Sequence, residues 1–175
     1  MSKTKTMTTM QSNLSTLALN GMFIALTLLS TAYINVKLPI ASNGGLIHLG
    51  NIPLFVCALL FGKRSGAIVG ACGMGLFDLI SGWAIWAPFT FIIVGAMGYI
   101  IGFITEKKKG IFYQLIALVF ACLIKVIGYY VAEVILYHNI YSPLTSIPGN
   151  IIQVTLAAII VLPILNTLKR GIQND

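Results

Sequence analysis

Between Ile111 and Tyr137 the chain is largely apolar and carries no charge except at Lys125 and Glu133. Such a run exceeds the roughly 20 residues that carry a helix across a bilayer. Backbone at that depth has no water to bond, so the run must be helical. The rest of the chain has the same character. Hydrophobic residues make up 58% of the 175 residues and charged ones 9%, whereas a soluble domain carries roughly a quarter charged. Mean hydropathy is +0.94. The apolar stretches are continuous and lack the ten-residue alternation of barrel strands, which leaves an all-α integral membrane bundle.

Six apolar runs are expected to form that bundle. The first covers Leu14 to Ile34, after a polar segment 1–13 read as a disordered tail. Lys3 and Lys5 resemble a signal-peptide n-region, but no small-residue cleavage site follows, so a retained helix is expected. Two short runs, Leu46–Phe61 and Gly66–Ile80, flank the basic turn Gly62-Lys63-Arg64-Ser65. Pro88–Thr105, Ile111–Tyr137 and Gly149–Leu168 complete the set, with 169–175 as a terminal tail and 14–168 as one membrane domain. Segments 35–53 and 138–148, rich in glycine or proline, read as ordered loops, and Pro163 is expected to kink the last helix. The small-residue spacings Gly66/Gly70, Ala67/Ala71/Gly75 and Gly98/Gly102 mark closely packed helix seams.

With six spans, nine of the eleven basic residues fall on one side, Lys37 and Lys125 being the exceptions. The positive-inside rule then places both termini in the cytoplasm. The short second and third runs reach the basic turn but stop below the opposite surface. They leave a bowl open to the extracellular side, which the 35–50 and 81–87 segments line or cover. Asp78, Trp83, Trp86, His48 and Glu133 belong to that half.

A carboxylate beside flat aromatic rings suits a small polar aromatic ligand. Lys125, Tyr129 and Glu133 are four residues apart and share one helix face. A lysine at mid-bilayer is costly and a functional role is its default reading; the plainer alternative is a packing salt bridge to Asp78 or Glu133. Trp83 and Trp86 are either ligand contacts or interfacial belt residues. His48 and Asn51 both lie in the first loop, and Asn150 and Gln153 share the first turn of the last helix. Gly21 and Ala25, at small-xxx-small spacing, serve either internal packing or a contact face for another membrane protein.

Several classes are excluded. Cys57, Cys72 and Cys122 are scattered without CxxC spacing, and two histidines are too sparse for a metal site. No HExxH, GxSxG or Walker A sequence is present, so no cofactor, intrinsic ATPase or enzyme chemistry is expected. The net charge of +7 sits at the ends of apolar runs, where lipid headgroups rather than nucleic acid are its partners.

Three stretches carry a family resemblance: His48-Leu49-Gly50-Asn51-Ile52-Pro53, the turn Phe61 to Ala67, and Asp78-Leu79-Ile80-Ser81-Gly82-Trp83 through Trp86-Ala87-Pro88-Phe89-Thr90. Together with the six-run pattern and the glycine-rich third run, they make residues 15–168 resemble the substrate-binding S components of energy-coupling factor (ECF) vitamin importers. The resemblance implies a multi-pass subunit of the cell membrane, without catalysis of its own. It implies a water-soluble vitamin as ligand, and as partners a transmembrane coupling protein, met here through Gly21 and Ala25, and two cytoplasmic ATPases. The site implied is His48, Asn51, Asp78, Trp83, Trp86, Lys125, Tyr129, Glu133, Asn150 and Gln153. The Asp78–Thr90 stretch is most similar to members for pyridoxine-type or hydroxymethylpyrimidine ligands, with riboflavin members next. A self-sufficient secondary transporter or channel is the competing class. It would show an inverted repeat and a polar path through the inner half, and the sequence has neither.

Overall fold

The computed structural model describes residues 2–37, 46–108 and 110–173. Lys109 of the basic run and the ends of both expected tails fall outside them. The protein is all-α apart from one small hairpin: α1 (Ser2–Tyr33), β1 (Asn35–Lys37), β2 (Leu46–His48), α2 (Asn51–Ile80), α3 (Ala87–Lys107), α4 (Ile111–Tyr137) and α5 (Ile147–Gln173), with a 3-10 turn at Ser142–Ser146 before α5. Among the described residues, five helical stretches are long and apolar enough to cross a membrane. Large apolar side chains on their outer faces, such as Ile92, Phe112 and Ile159, are exposed, as lipid contact requires.

The sequence reading expected six separate spans, and the difference lies in α2. The runs before and after the basic turn form one helical element, interrupted only at Gly62, whose φ of 85° and ψ of −173° are non-helical. A residue with a Cβ is strained at that φ. The chain folds back on itself there. A Cβ built at Gly66 would lie 2.7 Å from the Ala58 Cβ, and one at Gly70 would lie 2.9 Å from Leu54 Cδ1. Positions eight and sixteen residues apart meet only if the two limbs run antiparallel. The turn is fastened to α3: Glu106 accepts from the Lys63 backbone N–H at 2.8 Å and from Lys63 Nζ at 2.9 Å.

Helix α1 also departs from expectation, because it runs back to Ser2 through the polar segment read as disordered. No glycine or proline stands between Ser2 and Leu14 to stop a helix once the apolar part has nucleated it. At its other end the Asn35 side-chain amide donates to the carbonyls of Thr31 at 3.0 Å and Ala32 at 2.6 Å, closing the last turn. The expected loop 35–53 contains β1 and β2, which pair antiparallel with Val36 opposite Ile47.

The core joins α2, α3, α4 and α5 through Leu54, Phe55, Ala58, Val94, Met97, Ile101, Ala117, Ala121, Val161 and Leu165, all fully buried. A second cluster of Phe23, Cys57 and Val69 holds α1 on the α2 limbs. The glycine spacings seen in the sequence form the α2–α3 seam. Gly66 faces the Gly98 carbonyl and Gly70 faces the Val94 carbonyl, so the backbones touch.

Candidate functional site

The second α2 limb ends at Ile80 and α3 begins at Ala87, with the two tryptophans in the connection. This connection is tightly wound: the Trp83 N–H donates to the Asp78 carbonyl at 3.0 Å and the Trp86 N–H to the Trp83 carbonyl at 2.8 Å. Gly82 takes the positive φ of 87° that the reversal needs. The turn aims Asp78, Trp83 and Trp86 into a cavity at the end of the bundle opposite the Lys63–Glu106 pair.

The cavity has a volume of about 120 Å³. About 10–15 Å³ of such space admits one water, so there is room for several waters or one small ring compound. Nine of the ten expected residues line it: His48, Asp78, Trp83, Trp86, Lys125, Tyr129, Glu133, Asn150 and Gln153. Asn51 does not. It is fully buried in the first turn of α2, and neither side-chain polar atom has a hydrogen-bond partner. Thr31, Met74, Phe77 and Thr90 also line the cavity and escaped the sequence reading. Thr90 alone carried a signal, its place one turn after Trp86.

Aromatic groups form one wall. Trp86 is buried, with its ring 6.5 Å from Tyr129 and 5.9 Å from Tyr137, and therefore belongs to the core rather than to an interfacial belt. The Tyr129 hydroxyl lies 3.1 Å from the Thr90 hydroxyl. On the facing side the buried Lys125 donates from Nζ to Gln153 Oε1 at 2.9 Å, and the Gln153 amide donates to the Leu46 carbonyl at 2.7 Å. Ser146 donates to Glu133 at 2.9 Å. The buried lysine thus meets an amide and not the Asp78 or Glu133 carboxylate of the packing alternative.

His48 Nδ1 accepts from the Gly50 N–H at 3.3 Å, which leaves the ring proton on Nε2. Burial first, and the Lys125 charge second, hold its pKa well below the ordinary 6.5. In the window below about 6.5 the unfolded chain takes up a proton at His48 that the folded chain refuses, so this contribution to stability is complete above that pH and falls as pH drops. Tm is expected to decline on acidification from about pH 7, and His48→Gln should flatten the decline. An unchanged pH profile in that variant would remove His48 as its source.

Gly21 and Ala25 do not line the cavity but lie on an exposed face of α1, and a Cβ at Gly21 would meet nothing within 4 Å. Among the described residues no group of His, Cys, Asp and Glu is placed to hold a metal ion.

A cavity with this lining lies at one end of an all-α membrane bundle. The family model described as the S component of the ECF-type riboflavin transporter matches residues 11–170, and the chain belongs to that family. It is accordingly a multi-pass membrane protein, the substrate-binding S component of an ECF importer and not an enzyme. Membership also replaces the competing reading of a self-sufficient transporter, and implies a vitamin ligand and an energy-coupling module as partners. Among relatives, HmpT of Lactococcus lactis subsp. cremoris, a thiamine precursor transporter, is 28% identical over 163 residues, covering 93% of each chain. An uncharacterized protein of Pyrococcus woesei is 32% identical over 102 residues, covering 58% of this chain and 68% of its own.

Proposed function

We propose that this S component captures a one-ring vitamin precursor, of the hydroxymethylpyrimidine or pyridoxine type, in the cavity between β2 and helices α2 to α5. The observation that carries this is the size of the cavity together with its lining. About 120 Å³ suits a single heteroaromatic ring, and Trp83 and Trp86 offer it stacking surfaces. Lys125, Asp78 and Asn150 reach its polar substituents, with His48, Tyr129, Glu133 and Gln153 around them. The near full-length likeness to a thiamine precursor transporter supports the same ligand class. Riboflavin is the second reading, favoured by the family whose model matches.

Mass spectrometry of small molecules released from the purified protein tests this, followed by titration with hydroxymethylpyrimidine, pyridoxine and riboflavin. Binding of riboflavin alone would overturn the one-ring reading. Binding of none of the three would overturn the vitamin classes named here.

The cavity end is extracellular in this reading, and both termini are cytoplasmic, with the two α2 limbs counting as separate spans. The support is the basic cluster Lys63, Arg64, Lys107 and Lys108 at the opposite end. A cysteine at the exposed Arg64 should react with impermeant reagents from the cytoplasmic side only, and labelling from outside would invert the topology.

The exposed α1 face bearing Gly21 and Ala25 is assigned to the transmembrane coupling protein, which in turn meets the two ATPases. Gly21→Leu adds bulk where no neighbour stands, so it should abolish uptake in cells while the isolated protein keeps its ligand affinity. Equal loss of both would assign this face to the bundle itself.

A further inference from the structure

At the end of the bundle away from the cavity, four cations face one carboxylate. Lys63 and Arg64 stand on the α2 turn and Lys107 and Lys108 close α3, while Glu106 is the one carboxylate there among the described residues. Glu106 is engaged by Lys63, which leaves Arg64, Lys107 and Lys108 as surplus positive charge, all three exposed. The lysines are stationed on aromatic rings. Lys63 Nζ lies 5.6 Å and Lys107 Nζ 6.0 Å from the centre of the Phe103 ring, and Lys108 Nζ lies 5.0 Å from that of Tyr113 on α4. Phe103 stacks at 6.0 Å, with planes 13° apart, on Tyr99 one turn deeper in α3. Both stacked rings are exposed on the outer face of the bundle.

We propose that Lys63, Lys107 and Lys108, gathered around Phe103 and Tyr113, form a discrete site for the headgroup of one anionic phospholipid, with the Tyr99–Phe103 stack as the bed for its acyl chain. Tyr99, Phe103 and Lys107 are four residues apart and make one ladder along α3, apolar below and charged at its end. A phospholipid has the same order, a phosphate at the surface and hydrocarbon beneath it. A free phosphate would use the ammonium groups and leave the rings without a role, so the ladder selects the lipid. Lys63 gives one N–H to Glu106 and keeps others for phosphate oxygens. The ring faces hold two ammonium groups near each other before any lipid arrives, and such preorganisation strengthens binding. The site lies at the opposite end from the cavity and does not depend on the vitamin reading.

The test is native mass spectrometry of the full chain in a neutral detergent, titrated with dioleoyl phosphatidylglycerol or dioleoyl phosphatidylcholine. One phosphatidylglycerol per chain is expected to be retained, at least about ten-fold more tightly than phosphatidylcholine. Lys107→Gln/Lys108→Gln is expected to weaken phosphatidylglycerol about twenty-five-fold, close to five-fold for each cation removed. Phe103→Leu keeps every charge and an apolar side chain but removes the ring face, and should weaken it about two- to five-fold. Lys169→Gln/Arg170→Gln removes the same net charge from α5 and is expected to leave retention unchanged. Excess inorganic phosphate is expected not to displace the lipid. Melting curves by tryptophan fluorescence confirm that the variants are folded.

Equal retention of the two lipids by unaltered protein would overturn the site. Equal weakening in the two double variants would also overturn it, reducing the effect to net charge spread over the surface. Phosphatidylglycerol affinity untouched by Phe103→Leu would remove the ring, and with it the discrete site. Displacement of the lipid by inorganic phosphate would reassign the cluster to a soluble anion.

Discussion

Lys125→Met is expected to weaken ligand binding by about ten- to a hundred-fold, the loss of one charge-assisted hydrogen bond of roughly 1.5–3 kcal/mol. Methionine keeps most of the stem that fills the α4–α5 interface and removes only the charged tip. The fold itself should tolerate the change. Lys125 is 2% exposed, and its neighbour across the interface is an uncharged amide. Deleting the charge relieves a desolvation cost while leaving one amide oxygen short of a donor, and these effects oppose each other. Titration calorimetry beside a melting curve on the same variant separates the possibilities. Unchanged affinity with a lower Tm would make Lys125 a packing pin and move the ligand elsewhere.

The second large effect is on stability. Gly98→Leu is expected to lower Tm by roughly 4–12 °C, corresponding to about 2–3 kcal/mol. A Cβ built at Gly98 falls on the carbonyl group of Gly66, and one at Gly66 falls 2.6 Å from the Gly98 carbonyl oxygen. Backbone cannot rotate away as a side chain can, so α3 must lift off the second α2 limb along its length. Lifting it also displaces Thr90 and Trp86 at the cavity end, so affinity should fall with Tm. Gly21→Leu supplies the control, since its Cβ has open space and its Tm should stay within about 1 °C. Equal loss of Tm in both variants would show a general intolerance of leucine in place of helical glycine rather than a contact seam.

What the sequence made legible had local causes. Helix α4 was expected over Ile111–Tyr137 and is found there, because Gly110 before it and a left-handed His138 after it are local stops. The reversal at Gly62 and the Trp83–Trp86 turn likewise carry their own glycines. Nine of the expected cavity residues assemble because a charged or aromatic residue inside an apolar run is costly unless it faces a shared polar space.

The features missed depend on partners distant in sequence. β1 and β2 are three residues each, too short for any alternation to register, and they exist only by pairing. The Lys125–Gln153 bond spans 28 positions, and nothing in either run favours an amide over Asp78 or Glu133 as partner. Asn51 sat in the right motif but turned into the α2 interior, an orientation that helix phase sets and the motif does not.

The folded-back α2 also bears on transport thermodynamics. From Asn51 beside the cavity to Gly62 at the basic end, the first limb climbs only about 17 Å, little over half of a hydrocarbon slab roughly 30 Å thick. That distance is filled by Leu54, Ala58, Val94, Met97 and Ile101, which are closely packed and without solvent contact. In the proposed reading a bound molecule rests against this solid stopper, and the described part of the chain acts as a cup. A cup equilibrates with the solution it faces and cannot accumulate its contents beyond that. Each tenfold of accumulation requires about 1.4 kcal/mol, and that work has to enter from a protein that can move the stopper.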